Sequence, residues 1–172
     1  MLFSDAGKAI RFSEKDARPM GRVSQGVRGM RLDKNQKVIS LIVANSKLSK
    51  LATSLSNEKS IENRSPEGNI LTATENGYGK QTLIKEFSLR KRGGKGVIAI
   101  QTSKRNGKLI AANQVQSGDE VIFISSVGNL IRTTIENISV IGRNTQGVKL
   151  IRLNEQDKLL EMEPIINDSN DD

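Results

Sequence analysis

Two stretches of this chain carry the same arrangement of basic and glycine residues: Gly21-Arg22-Val23-Ser24-Gln25-Gly26-Val27-Arg28-Gly29-Met30-Arg31-Leu32 and Gly142-Arg143-Asn144-Thr145-Gln146-Gly147-Val148-Lys149-Leu150-Ile151-Arg152-Leu153. Their common pattern is G-R-x-x-Q-G-V-[RK]-x-x-R-L. A third stretch, Arg90-Lys91-Arg92-Gly93-Gly94-Lys95-Gly96-Val97, keeps the glycine and valine and is denser in cations. Such loops suit the binding of phosphate. Arginine presents a planar fork that grips two phosphate oxygens, and lysine adds a point charge. Glycine allows left-handed turns and leaves backbone amides uncovered for an anion. The candidate contacts are therefore Arg22, Arg28, Arg31, Lys91, Arg92, Lys95, Arg143, Lys149 and Arg152, on loops shaped by Gly26, Gly96 and Gly147. Gln25 and Gln146 suit bonds within the loops, and Val27, Val97 and Val148 are expected in the core.

Other chemistries find no residues. The chain has no Cys and no His, which removes thiol nucleophiles, serine triads and the common zinc sites. No catalytic residue, metal or cofactor is expected. Thr74-Glu75-Asn76-Gly77-Tyr78-Gly79-Lys80 has the glycines and lysine of a phosphate loop but not its spacing or its Ser/Thr, and reads as a hairpin turn. Tyr78, the single tyrosine, sits in that turn without acidic metal ligands nearby. Asp119 and Glu120 alternate across a strand and read as a turn with a solvated edge.

The elements that must position the basic loops recur three times. Segments beginning at Met1, Leu71 and Ile122 align without gaps over their first half, placing turn glycines at Gly7, Gly77 and Gly128. The loop glycine follows 19 residues later in every copy (7 to 26, 77 to 96, 128 to 147), and valine follows it each time. Each copy opens with a β-rich run, a glycine turn and a returning run, which is a hairpin signature. After the basic loop come two more apolar runs, such as 97–100 and 109–112. Four short strands per unit, repeated, predict an all-β fold, a propeller-like or solenoid repeat of four-stranded blades with about three blades present. The expected organisation is a blade at 1–45, a polar inserted linker at 46–69, blades at 70–116 and 117–166, and a disordered acidic tail at 167–172. A frayed helix is expected near 47–55.

Charge supports the same reading. The net charge is +8, yet residues 155–172 hold seven carboxylates against Lys158 alone, so the remaining 154 residues carry +14. A basic body with a short acidic end is the footprint of a polyanion binder. Aromatics are only 3% of the chain, which disfavours base stacking as the binding mode. No apolar run is long enough for a membrane span and no signal sequence opens the chain, so a cytoplasmic, nucleoid-associated protein is expected.

The strings TENGYGK (74–80), GRNTQGV (142–148) and MGRVSQGVRGMRL (20–32) resemble the C-terminal domain of the gyrase A subunit of bacteria. The resemblance covers nearly all of 1–165 except 46–66. It implies a β-pinwheel that wraps duplex DNA on a basic rim, without base reading. Its partners would be the gyrase A core and gyrase B subunit of a type IIA topoisomerase, whose ATP-driven negative supercoiling the wrapping supports. The catalytic tyrosine core and ATPase parts lie outside such a chain, so it is expected to be no enzyme on its own. The stretch Arg90–Gly96 is close to the family's Q-R-R-G-G-K-G box but sits in the second-last copy rather than the first blade. A DNA-contact role therefore carries over to Arg92 and Lys95, and the box's special role does not. The alternatives are the corresponding domain of topoisomerase IV, a β-propeller that binds an acidic protein partner, and an inert remnant of three blades.

Overall fold

The computed structural model of the protein describes residues 1–44 and 68–165. The helix expected near 47–55 and the tail at 167–172 lie outside the described residues. In chain order the strands are β1 (Leu2–Ser4), β2 (Lys8–Ile10), β3 (Val38–Leu41), β4 (Asn69–Thr74), β5 (Tyr78–Leu83), β6 (Val97–Ile98), β7 (Leu109–Val115), β8 (Glu120–Ser125), β9 (Leu130–Thr134), β10 (Val148–Lys149) and β11 (Leu159–Ile165). A 3-10 turn follows the first hairpin of each repeat, at Glu14–Asp16, Ile84–Glu86 and Ile135–Asn137.

Local sequence explains the hairpins. In β8 the residues Val121, Phe123 and Ser125 point inward and their neighbours are half-buried, the two-residue period of a pleated strand. The turn glycines do what their spacing implies: the amides of Gly7, Gly77 and Gly128 donate to Ser4, Thr74 and Ser125 at 2.9, 2.9 and 3.0 Å.

Repeat and blade, however, are different units. The sheets run β3-β1-β2-β6, β10-β5-β4-β7 and β11-β8-β9. Strand β6 of the second repeat completes the first sheet, pairing Val97 with Ala9 and Ile98 with Lys8. Strand β10 of the third repeat completes the second, pairing Val148 with Gly79 and Lys149 with Tyr78. Four strands per repeat are present in the second and third copies, but one of them crosses into the preceding blade. The last sheet has three strands, and the equivalent stretch of the first repeat, around Val27, is in no sheet.

The hydrophobic core divides between the junctions. One cluster gathers Phe3, Ala9 and Ile42 of the first blade with Ile70, Ile84, Phe87, Ala99, Ile100 and Leu109 of the second repeat. The other gathers Leu71, Ala73 and Val115 with Val121, Phe123, Ile135, Ile151 and Met162. The valines after the loop glycines do not join either cluster as buried members. Val27 and Val97 are half-buried and Val148 is exposed: Val97 and Val148 lie in two-residue strands at the edges of their sheets, and Val27 lies in no strand. The burial expected of them falls instead three residues later, on Met30, Ile100 and Ile151.

Candidate nucleic-acid interface

The second and third basic loops are each held by the repeat before them. The amide of Arg31 donates to Gly94 at 2.9 Å, and one repeat on the amide of Gln101 donates to Thr145 at 2.8 Å. These are equivalent residues, counted from the loop glycine. The three loops are thereby tied in series, loop to strand to loop. They are not sunk in the interior: Arg22, Arg28, Arg31, Lys91, Lys95, Lys149 and Arg152 are exposed, and Arg92 and Arg143 are half-exposed.

The equivalent arginines Arg92 and Arg143 also stitch the repeats together. Arg92 donates from Nη1 to the carbonyl of Arg28 at 3.0 Å and from Nε to Asp16 at 2.8 Å. Arg143 donates from Nη1 to Ile98 at 3.2 Å. Arg28 and Ile98 occupy the same place in successive repeats, so this is one bond made twice. A guanidinium has five N–H donors, so each side chain keeps donors for another partner. Arg22, the first of the three, makes no such bond among the described residues.

The remaining candidates are dispersed. Lys95 pairs with Asp33 at 3.1 Å, and that hydrogen bond and charge hold the Asp33 carboxyl below its ordinary pKa. Lys149 turns toward the Tyr78 ring, 5.6 Å from its centroid, and Arg105 covers the same ring at 4.9 Å. Arg105 was not among the sequence candidates. Tyr78 thus serves as a shelf for two cations from different repeats.

Two positioning residues escaped the sequence reading. Lys80 is fully buried. Its ammonium donates to the carbonyls of Gly142 and Arg143, both at 2.6 Å, and to Oγ1 of Thr145 at 3.0 Å. Burial pushes its pKa down to about 8, with Glu86 opposing and Arg143 adding to the effect. Asn106, also fully buried, donates to the carbonyls of Gln101 and Gln146 at 2.7 and 3.1 Å. No periodicity in the chain marks either residue as polar core, since their partners lie 40 or more residues away for Lys80 and in part for Asn106.

The loop glycines answer to packing as well as to turn shape. A Cβ on Gly96 would lie 2.4 Å from the carbonyl oxygen of Ala9, and one on Gly147 2.6 Å from that of Gly79. Both also sit at positive φ, +76° and +78°. Both therefore permit the close approach of the donated strand to its acceptor.

A family model described as the DNA gyrase C-terminal domain, a β-propeller, matches residues 1–45, 68–116 and 119–165, one segment per repeat. The chain belongs to the DNA gyrase C-terminal domain family. Among curated relatives, the DNA gyrase A protein of Pseudomonas aeruginosa is 46% identical over 172 residues, and that of Escherichia coli is 41% identical over 165. The matches cover 100% and 96% of this chain and 16% and 17% of those proteins, so the chain spans about a sixth of their length. A solved gyrase A C-terminal domain aligns at 26% identity with a TM-score of 0.73, over 96% of this chain and 50% of that one. The C-terminal domain of a DNA topoisomerase IV aligns with a TM-score of 0.75 at 18% identity, over 95% of this chain and 45% of that one, which speaks to fold alone. The expected all-β pinwheel architecture stands on these matches and on the sheets above.

Proposed function

We propose that this chain is a non-catalytic module that binds duplex DNA by its backbone and bends it along the row of basic loops, in the service of a gyrase-type topoisomerase. The observation that carries this reading is the linked series of exposed cationic loops, one per repeat, on a body with a net charge of +14 outside residues 155–172. Cations on a linked series of loops favour a polyanion that runs along the series. DNA whose backbone is neutralised this way gains affinity by releasing counterions, without regard to base sequence. Arg22, Arg28, Arg31, Lys91 and Arg152 supply the contacts in this proposal, with Arg92, Arg143, Lys95 and Lys149 dividing their donors between DNA and the protein. The identities of 46% and 41% to gyrase A proteins favour gyrase over topoisomerase IV as the parent class.

Two measurements test it. Affinity for duplexes of unrelated sequence should fall together as salt rises, with a log–log slope of about −0.9 for each phosphate neutralised. Arg22→Ala combined with Arg152→Ala should flatten that slope by about two such steps. A slope unchanged by the pair would overturn the assignment of these contacts. Closed minicircles relaxed in the presence of the protein should then retain positive writhe; none retained would contradict wrapping while leaving simple binding intact.

A further inference from the structure

The two junctions between blades make the same backbone bonds and differ in what lies beneath the basic loop. At the first, the amides of Ala99 and Ile100 both donate to the carbonyl of Gly7, at 2.8 and 3.2 Å. At the second, Leu150 and Ile151 donate to Gly77, at 2.8 and 3.2 Å. Three residues past each turn glycine stands a buried residue under the loop, Ile10 at the first junction and Lys80 at the second. A Cβ built on Gly94 lies 3.6 Å from Cδ1 of Ile10, so the second loop rests on hydrocarbon. The third rests on an ammonium group.

That ammonium is half of a clamp. Nζ of Lys80 donates to the carbonyl of Gly142 at 2.6 Å, and the N–H of the same peptide group, that of Arg143, donates to Oε2 of Glu86 at 3.0 Å. One peptide plane is thus held at its oxygen by a cation and at its hydrogen by an anion. The carbonyl of Arg143 and Oγ1 of Thr145 take the other two bonds from Lys80, at 2.6 and 3.0 Å. An ammonium has three donors and all are used; a neutral amine has two, so losing the proton breaks the set. Of the charged groups facing Lys80, Glu86 in the 3-10 turn after β5 favours the ammonium, and Arg143 in the loop above disfavours it. β4 sets Thr72 opposite Lys80, and β10 sets Val148 opposite the adjoining Gly79, both uncharged. Lys149 lies one step further along β10, turned to the Tyr78 ring.

We propose that the Lys80–Glu86 clamp makes the Arg143 loop a proton-linked DNA contact, in which a backbone phosphate at Arg143 and the proton on Lys80 each strengthen the binding of the other. The inference rests on the DNA binding proposed above. A phosphate oxygen at the Arg143 guanidinium offsets the positive charge that disfavours the ammonium, and its own negative charge acts in the same direction. In return, the charged Lys80 holds Gly142, Arg143 and Thr145 in the arrangement that presents the guanidinium. Coupling between two ligands is reciprocal. DNA therefore draws a proton onto Lys80, and raising the pH weakens the hold on DNA. Burial, with Arg143 adding to it, sets the pKa of Lys80 at about 8 in the free protein, and DNA moves it upward. Affinity is thus full below about pH 8 and falls as the pH climbs from the free value to the bound one. Ile10 does not titrate, so the second loop carries no such dependence.

The test exploits the absence of His and Cys from the 172-residue chain, which leaves few other groups to titrate between about pH 7.5 and about pH 9. Duplex affinity read by anisotropy at fixed salt should fall several-fold across that range. Calorimetry at about pH 8.5, in two buffers of different ionisation enthalpy, should show net proton uptake on binding. Arg143→Gln should bind more weakly and lose the uptake, whereas Arg92→Gln should bind more weakly and keep it. Both variants leave the buried residue in place, so the comparison does not depend on a Lys80 variant that folds. Tyr78, whose pKa is lowered chiefly by its bond to Arg105, is the nearest competing source, and Tyr78→Phe should retain the pH dependence. Binding of constant strength across the range overturns the coupling and leaves DNA binding in place. Uptake that persists in Arg143→Gln, or that vanishes in Tyr78→Phe, overturns it too. No binding to duplex at about pH 7.5 overturns the proposed function and the coupling with it.

Discussion

At the scale of single residues, the same amino acid does different work in each copy of the repeat. Gly96 and Gly26 share a backbone conformation, but only Gly96 is pressed against another strand, at 2.4 Å from Ala9 for a built Cβ. Gly96→Ala therefore combines left-handed strain with overpacking and should lower stability by roughly 2–4 kcal/mol. Gly26→Ala carries the strain alone, about 1 kcal/mol; urea unfolding of both variants measures the gap, and equal losses would contradict the packing argument. Lys80 makes a pH-dependent contribution. Its folded pKa, about 8, lies below the ordinary 10.5. Between those values the unfolded chain holds a proton that the folded one has released, so this group's contribution to stability rises with pH through that window. Below about pH 8 the cost of burying the charge is present in full. Wild type should gain on Lys80→Met in denaturant unfolding as pH climbs from about 8 to about 10, and a constant difference would show that burial does not govern the group.

At the scale of elements, the exchanged strand organises everything else. β6 and β10 are two residues long, too short to hold a register unaided. They are fixed by the double acceptance at the turn glycine, by the arginine stitch behind them and, at the second junction, by Lys80 beneath the loop. Arg92→Ala should consequently lower both stability and DNA affinity, because its bonds to Asp16 and Arg28 are lost along with any phosphate contact. A side-chain hydrogen bond of this kind contributes about 0.5–1.5 kcal/mol, somewhat more when charged. Arg22→Ala, which breaks no comparable bond among the described residues, should lower affinity and leave the melting temperature in place. Thermal melts paired with anisotropy titrations separate the two, and a matching loss of stability in both variants would refute the distinction.

At the scale of the whole molecule, blades that share strands cannot melt one by one. Ending the chain after Gln116 would remove β10 with the third repeat, exposing the edge of β5 and leaving the buried Lys80 ammonium without its three acceptors. Such a chain should lose the second blade as well as the third. Circular dichroism would show a loss of strand signal larger than the deleted residues account for; a proportionate loss would mean that the blades fold independently. Unpaired edges left by the cut are also templates for aggregation.

Period, composition and charge determined much of this in advance. Glycines repeated at fixed spacing, apolar runs of strand length and cations beside the second glycine are local quantities, so three hairpins, three basic loops and an all-β class could be read directly from the chain. Which strand pairs with which is settled only in the assembled fold. Val97 and Val148 look like members of their own blades because nothing within a short strand states which hairpin it will lie against. Lys80 looks like a turn residue at the surface because the carbonyls that bind it are 62 and 63 residues away. A strand's partner is chosen by shape and hydrogen bonding across the junction, through contacts between residues far apart in the chain, and that information exists only once the repeats have been brought together.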